Sequence, residues 1–149
     1  MRKIFIGADS AGYELKEIIK KYLLERGHEV VDVGCDSTAS CHYPEFASKV
    51  SLGVLSDLEG SFGILVCGTG IGMSMCANKY HGIRAAVCGD TFSAKMTRCH
   101  NDANVLCLGA RVIGSMLALD IVEQFLTHDY EGGRHAIRVG MMKDIENSN

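Results

Sequence analysis

The chain has 149 residues, of which 47% are hydrophobic and 22% are charged. This length suits one domain around a single core, because domains cluster near about 100–150 residues, and the composition excludes disordered and fibrous architectures. Lys and Arg number 15 and Asp and Glu number 18, which gives a net charge of −3. The overall charge therefore attracts neither nucleic acid nor an anionic membrane surface, and we expect no such partner.

The cysteine pattern and the N-terminus indicate the compartment. The seven cysteines include no Cys-x-x-Cys pair, which favours free thiols in a reducing environment. Residues 1–7 end in a glycine and lack the apolar stretch of a secretory signal. No segment approaches the ~18 uninterrupted apolar residues of a membrane helix. We expect one cytoplasmic domain over residues 1–149.

Short apolar runs alternate with stretches of helical periodicity along the whole chain. The runs that predict strands are residues 3–7, 29–33, 62–67, 84–88 and 104–108. The stretches that predict helices are residues 12–26, 45–58, 71–79, 91–99, 112–126 and 133–146. The strands are continuously apolar, as in Ile64-Leu65-Val66, which is typical of a parallel sheet covered by helices on both faces. The pattern predicts an α/β fold, a Rossmann-like three-layer α/β/α sandwich.

The loop after the third predicted strand carries the strongest functional signal, because parallel sheets bind ligands beyond the carboxyl ends of their strands. It reads Cys67-Gly68-Thr69-Gly70-Ile71-Gly72 and opens a helix. Its glycines leave backbone N–H groups free to face the crevice, where the helix dipole favours an anion. Met73 stands where a dinucleotide motif needs glycine, and no P-loop lysine follows. We interpret the loop as a cradle for an anion or oxyanion.

Three residues near this loop are candidates for chemistry. Cys67, at the end of a strand, would alone be interpreted as an inert core residue, but its place before a helix N-terminus favours a reactive thiolate. Thr69 suits either a helix cap or a ligand contact, and the two roles are compatible. Asp9, after the first predicted strand, suits either a helix cap or proton transfer.

Two polar groups lie farther along the chain. His100 and Asn101 close the fourth predicted helix, and they reach the crevice only if the helix end folds back over the sheet; a surface or helix-stop role is the alternative. Arg134 and Arg138, four residues apart, share a helix face that could bind phosphate or be a solvated basic face. Arg111, after the fifth predicted strand, is a third cation for a phosphate group. No His or Cys spacing typical of a metal site occurs, so we predict no metal.

Taken together, these segments resemble the ribose-5-phosphate isomerase type B family, with its relatives allose-6-phosphate and galactose-6-phosphate isomerase. The resemblance runs nearly end to end and rests on Gly7-x-Asp9, Tyr43-Pro44, Cys67-Gly68-Thr69-Gly70-Ile71-Gly72, His100-Asn101-Asp102, Gly109-x-Arg111 and Glu131-Gly132-Gly133-Arg134-His135-x-x-Arg138. It implies a five-stranded parallel sheet, a homodimer or homotetramer, and active sites shared between subunits. The C-terminal helix, about residues 133–146, is then expected to contribute to a partner's site.

The resemblance also implies residue roles in the isomerisation of a phosphorylated sugar without a cofactor or metal. Cys67 would carry the substrate proton between C2 and C1, Thr69 would handle a hydroxyl, and His100, with Asp9 nearby, would help to open the furanose ring. The residues implied to bind the substrate are Ser10, Tyr43, Gly68, Gly70, Gly72, Asn101, Arg111, Arg134 and Arg138, with the last two coming from the partner subunit.

Two departures from the family pattern bear on the substrate. Ser10 stands where the family usually has histidine, and His42 stands where it usually has aspartate. We offer the hypothesis that His42 supplies the imidazole that Ser10 lacks. The resemblance favours conversion of D-ribose 5-phosphate to D-ribulose 5-phosphate. The alternatives are a hexose-6-phosphate isomerase and a non-catalytic sugar-phosphate-binding or thiol redox module.

Overall fold

Five parallel strands form one sheet in the computed structural model, which describes residues 1–149, and their order is β2-β1-β3-β5-β4. The strands are β1 (Lys3–Ala8), β2 (Glu29–Asp32), β3 (Ser61–Cys67), β4 (Ala85–Val87) and β5 (Val105–Gly109). The helices are α1 (Tyr13–Glu25), α2 (Tyr43–Ser56), α3 (Ile71–Ala77), α4 (Thr91–Asn101), α5 (Ser115–Thr127) and α6 (Arg134–Asn147). All predicted elements are confirmed, and the largest shift is at the start of α5. None of the helices combines the length and apolar character needed to cross a membrane.

Hydrophobic residues cover both faces of the sheet, because successive strand residues point to opposite sides. On one face Ile64 belongs to a buried cluster with Ile19 of α1 and Phe125 of α5. On the other face Leu65 belongs to a separate cluster with Val50 of α2. The strands are therefore buried on both sides, as their continuous apolar runs predicted. The three-layer α/β/α sandwich is confirmed.

Because the five strands are parallel, their carboxyl ends lie along one side of the sheet and their amino ends lie along the opposite side. The strands end together at what we call the carboxyl edge, where Cys67 of β3 pairs with Gly109 of β5. They begin together at the amino edge, where the Gly63 N–H donates to the Asn104 carbonyl. A residue at one edge is separated from a residue at the other by at least the length of β5, about 13 Å at 3.3 Å per residue.

A buried ion pair fixes the loop that follows β2. Lys16 of α1 is 1% exposed, and its Nζ lies 2.8 Å from both carboxylate oxygens of Asp32. Lys20 Nζ donates to the same carboxylate at 2.9 Å, and the Gly34 N–H donates to it at 2.9 Å. Burial raises the pKa of Asp32, but the hydrogen bonds from both lysines outweigh it, so this pKa lies below its ordinary value. The cluster anchors the chain segment that leads to α2.

Candidate active site

The glycine loop aims a hydrogen-bond donor at the sulfur of Cys67. Cys67 is buried, with 5% of its surface exposed, and the Gly70 N–H donates to Sγ at 3.1 Å. Gly70 adopts a left-handed conformation with φ of 81°, and a Cβ there would lie 3.0 Å from the Leu108 backbone. Only glycine fits this turn without strain. The turn thus returns a backbone N–H to the end of β3.

Two other buried cysteines, Cys88 and Cys107, lie next to or within the sheet. Burial raises the pKa of Cys88 to about 11, and burial also raises the pKa of Cys107 well above its ordinary value. Thiols of this kind stay protonated and are inert as nucleophiles or bases. Among the thiols of the sheet, Cys67 is the one that ends a strand against a glycine loop.

Thr69 and Asp9 each accept a local backbone hydrogen bond at the carboxyl edge, just before a helix. Thr69 Oγ1 accepts a hydrogen bond from the Ile71 N–H at 3.3 Å. Asp9 Oδ1 accepts one from the Gly12 N–H at 3.0 Å, just before α1. The N-cap residues are Gly70 for α3 and Gly12 for α1, and neither helix has a side-chain cap, so the capping interpretation is wrong for both residues. Their side chains remain partly exposed, so their contact with a substrate stays a prediction.

Tyr43 and Arg111 lie over the glycine loop, as expected for residues that line the crevice. A Cβ added at Gly72 would lie 2.8 Å from Tyr43 Cζ, so the ring packs directly on the backbone. The Arg111 side chain passes over Gly68, 3.5 Å from the position of an added Cβ, and the backbone N–H of Arg111 donates to the Gly68 carbonyl at 3.0 Å. One aromatic ring and one guanidinium therefore flank the loop.

The two departures from the family pattern also lie at the carboxyl edge. Ser10 follows Asp9 in the loop between β1 and α1, and His42 is the residue immediately before α2. Compensation between Ser10 and His42 stays a hypothesis.

A second polar cluster lies at the amino edge. The rings of His100 and His135 stack with centroids 4.1 Å apart and planes 8° apart. Both Nε2 atoms lie 3.6 Å from Glu131 Oε2, and the Glu131 N–H donates to the Cys99 carbonyl at 3.0 Å. Burial and then the charge of His100 lower the pKa of His135. Sequence reasoning assigned Glu131 and His135 no role, because no linear spacing brings residue 100 beside them.

The same three side chains are the group that could hold a metal ion, since their ligand atoms lie within 4.8 Å of one another. Stacked, nearly parallel rings direct their nitrogen lone pairs side by side, whereas a zinc ion needs ligands that converge on one point. The observed geometry is not that of a metal centre. The absence of a catalytic metal stays a prediction.

The position of His100 corrects one expectation about a single chain. Helix α4 leads from β4 back to the start of β5, so it ends at the amino edge. There the Arg84 Nε donates to the Asn101 carbonyl at 3.2 Å. The helix end does not fold back over the sheet, and within one chain neither His100 nor Asn101 lies near Asp9 and Cys67. The expected proximity of His100 to Asp9 is therefore wrong for one subunit.

The phosphate-binding candidates are divided in the same way. Arg111 lies at the carboxyl edge, whereas Arg134 and Arg138 belong to α6, which follows the cluster of His100, Glu131 and His135. All three arginines are exposed, and none takes part in an ion pair of the chain. Three guanidiniums without partners are thus available to an anion, one at a different edge from the other two.

Comparison with known proteins extends over the whole chain. Residues 4–142 match the family model described as Ribose/Galactose Isomerase. The sequence is 49% identical over 147 residues to ribose-5-phosphate isomerase B of Escherichia coli, covering 98% of this chain and 97% of that protein. The fold matches ribose-5-phosphate isomerase B of Clostridium thermocellum with a TM-score of 0.95 at 51% identity, covering 98% of each chain. It matches the Mycoplasma genitalium enzyme with bound ribulose-5-phosphate with a TM-score of 0.95 at 38% identity, covering 99% of this chain and 97% of the other.

Proposed function

The chain belongs to the ribose/galactose isomerase family, and we propose on that premise that it interconverts D-ribose 5-phosphate and D-ribulose 5-phosphate through an enediolate. The observation that carries the proposal is the Cys67 sulfur at the end of β3, which faces the Gly70 N–H in a loop of glycines. The bound ribulose-5-phosphate of the Mycoplasma genitalium enzyme, whose fold this chain shares, supports a phosphorylated sugar as substrate.

The reaction needs a base, a proton relay and donors for an oxyanion. In open-chain ribose 5-phosphate, the Cys67 thiolate removes the proton from C2, and the electron pair moves towards the C1 aldehyde to give the enediolate. The sulfur then returns the proton to C1, while the Thr69 hydroxyl passes the O2 proton to O1, so that C2 becomes the ketone. A positioned base contributes about 10²–10⁴-fold in rate, and each well-aimed oxyanion donor contributes about 2.7–4 kcal/mol.

Two subunits complete each site in this proposal. Cys67, Asp9 and Arg111 lie at the carboxyl edge, and the candidates at the amino edge cannot reach them across the length of a strand. A second copy of the chain brings its own amino edge to this crevice. The residues that we place in the partner's site are His100, Asn101, Arg134 and Arg138.

Exposed apolar residues support an interface between copies. On α6, Ile137 is 69% exposed, Met141 59% and Ile145 64%, and their four-residue spacing places them in one stripe along the helix. Beside the glycine loop, Ile71 is 52% and Met75 65% exposed. Apolar surfaces of this kind mark interaction sites, and a closed symmetric dimer would cover them.

The same pairing of subunits would bring the phosphate-binding arginines together. A monophosphate carries about −1.5 to −2 charges near neutrality, and the guanidiniums of Arg111, Arg134 and Arg138 together offset that charge. Arginine suits this task because its planar fork can bind two phosphate oxygens at once.

We place the enzyme in the cytoplasm, in the pentose phosphate pathway. All seven cysteines are free thiols in the structure, which supports a reducing compartment.

An assay of the purified protein with two sugars tests the proposed function. We expect conversion of D-ribose 5-phosphate to D-ribulose 5-phosphate, and weaker or no conversion of D-allose 6-phosphate. Preference for the longer sugar would indicate a hexose-6-phosphate isomerase. Binding of both sugars without conversion would indicate a non-catalytic sugar-phosphate-binding module.

A further inference from the structure

We propose that Glu131 is a positioning residue that holds His100 in place for opening the sugar ring. The inference rests on the proposed function and adds a residue to which neither the motif analysis nor the family resemblance gave a role. Glu131 lies in the segment between α5 and α6; its backbone bonds to Cys99, next to His100, and its side chain lies beside the His100 ring.

A backbone hydrogen bond fixes the position of Glu131. Its N–H donates to the Cys99 carbonyl at 3.0 Å, so it is tied to the residue immediately before His100. Gly132 and Gly133 follow with φ of 67° and 57°, a conformation that residues with a side chain rarely adopt. These two glycines turn the chain sharply into α6, so that His135 returns to the same place.

The side-chain contacts fix the two rings. Glu131 Oε2 lies 3.6 Å from Nε2 of His100 and 3.6 Å from Nε2 of His135, and the rings stack 4.1 Å apart. His135 is 8% exposed, and the more exposed His100 ring stacks against it. The carboxylate therefore lies beside both Nε2 atoms at one end of the stack.

The chemistry of ring opening explains the need for such a group. Ribose 5-phosphate is mainly a furanose, and opening it requires a proton for the ring oxygen and removal of the proton of the anomeric hydroxyl. An imidazole that carries out such a transfer needs a fixed ring plane, because a misplacement of about 1 Å can cost about 10²-fold in rate. Burial and the charges of His100, Arg134 and Arg138 lower the pKa of His135, and the Glu131 carboxylate acts in the opposite direction.

Ribulose 5-phosphate provides a test that separates ring opening from proton transfer. Its O5 carries the phosphate, so it cannot close to a furanose, and exchange of its C1 proton with solvent deuterium reports the enediolate step alone. For Glu131→Gln we expect the rate of ribose 5-phosphate conversion to fall by about 10- to 100-fold, whereas deuterium exchange into ribulose 5-phosphate, followed by NMR, stays within about twofold of wild type. Glu25→Gln, an exposed change in α1, serves as the control and should alter neither rate.

An equal loss of both rates in a Glu131→Gln protein with wild-type thermal stability would overturn the inference, since it would assign Glu131 to proton transfer or to the site as a whole. Unchanged conversion of ribose 5-phosphate would overturn it as well. A wild-type protein that neither converts nor exchanges either sugar would instead overturn the proposed function on which the inference rests.

Discussion

At the scale of single residues, the proposed function depends on how one turn positions the sulfur of Cys67. The sequence predicted Cys67 from its place between an apolar strand and three glycines, and the structure adds that the donor to the sulfur is the Gly70 N–H. That detail could not be predicted, because it depends on the left-handed conformation of Gly70 and on its packing against Leu108. Residue type and spacing identify the loop, whereas the direction of each backbone N–H bond depends on the three-dimensional conformation of the loop.

Replacing the sulfur tests this assignment. In Cys67→Ser we expect kcat to fall by about 10²–10⁴-fold, since a hydroxyl is a far weaker base at neutral pH than a thiolate. Thermal unfolding of the variant should stay close to that of wild type, because the two side chains are nearly the same size. Cys76→Ser, on the neighbouring helix α3, is the matched control and should keep its activity. Wild-type turnover in Cys67→Ser would remove the thiol from the mechanism.

The buried ion pair between Lys16 and Asp32 should contribute to the stability of the fold. Asp32→Asn removes the main counter-charge of an ammonium group that is 1% exposed, and Glu17, 3.1 Å away, compensates for part of the loss. We expect the free energy of unfolding, measured in urea at pH 7, to fall by about 2 kcal/mol. Lys16→Met, which buries an apolar side chain in the same space, should cost less. A loss from Asp32→Asn within about 0.5 kcal/mol would show that the pair is unimportant.

The stability contributed by the ion pair of Lys16 and Asp32 depends on pH, and the sign of this dependence follows from the lowered pKa of Asp32. The stabilising contribution is fully present above the unfolded pKa of about 3.9 and is lost as pH falls through the lower folded value. The difference in stability between wild type and Asp32→Asn should therefore shrink below about pH 4. A difference that stays constant down to the acid transition would contradict the ion pair as its cause.

At the scale of secondary structure elements, the alternation of apolar runs and helical periodicity was sufficient to predict every strand and helix. The continuous burial of β3 and the two-sided core follow from the same signal. What the pattern could not predict is the contact between the end of α4 and the start of α6, because His100 and His135 are distant in sequence and meet only through tertiary packing. Glu131 was overlooked for the same physical reason.

The approach of α1 to β3 tests how closely the elements must pack. A Cβ at Gly12 would lie 2.2 Å from the Val66 carbonyl oxygen, and neither backbone can move aside without disturbing its element. We expect Gly12→Ala to lower the free energy of unfolding by about 2 kcal/mol or more. In contrast, Gly140→Ala in α6 meets no atom within 4 Å and should raise it by about 0.5–1 kcal/mol. Equal effects of the two substitutions in urea unfolding would contradict this packing argument.

At the scale of the whole molecule, the sheet itself divides the candidate site into two parts. The parallel strands place Cys67 and Arg111 at the carboxyl edge, and α4 carries His100 to the amino edge. Because the strands separate these residues, we propose that a single subunit holds two half-sites and that the exposed apolar stripe on α6 packs against a second copy. The family resemblance implies a shared site, which stays a proposal, and the topology is the physical argument for it.

Mixing two inactive variants is the most direct measurement of this division. Cys67→Ala and His100→Ala are each purified alone and then unfolded and refolded together in equal amounts, so that half of the dimers contain one subunit of each kind. In a mixed dimer one site has both defects and the other has none, and we therefore expect ribose 5-phosphate conversion to recover to about a quarter of the wild-type rate. A mixture no more active than the separate variants would show that each chain builds its site alone.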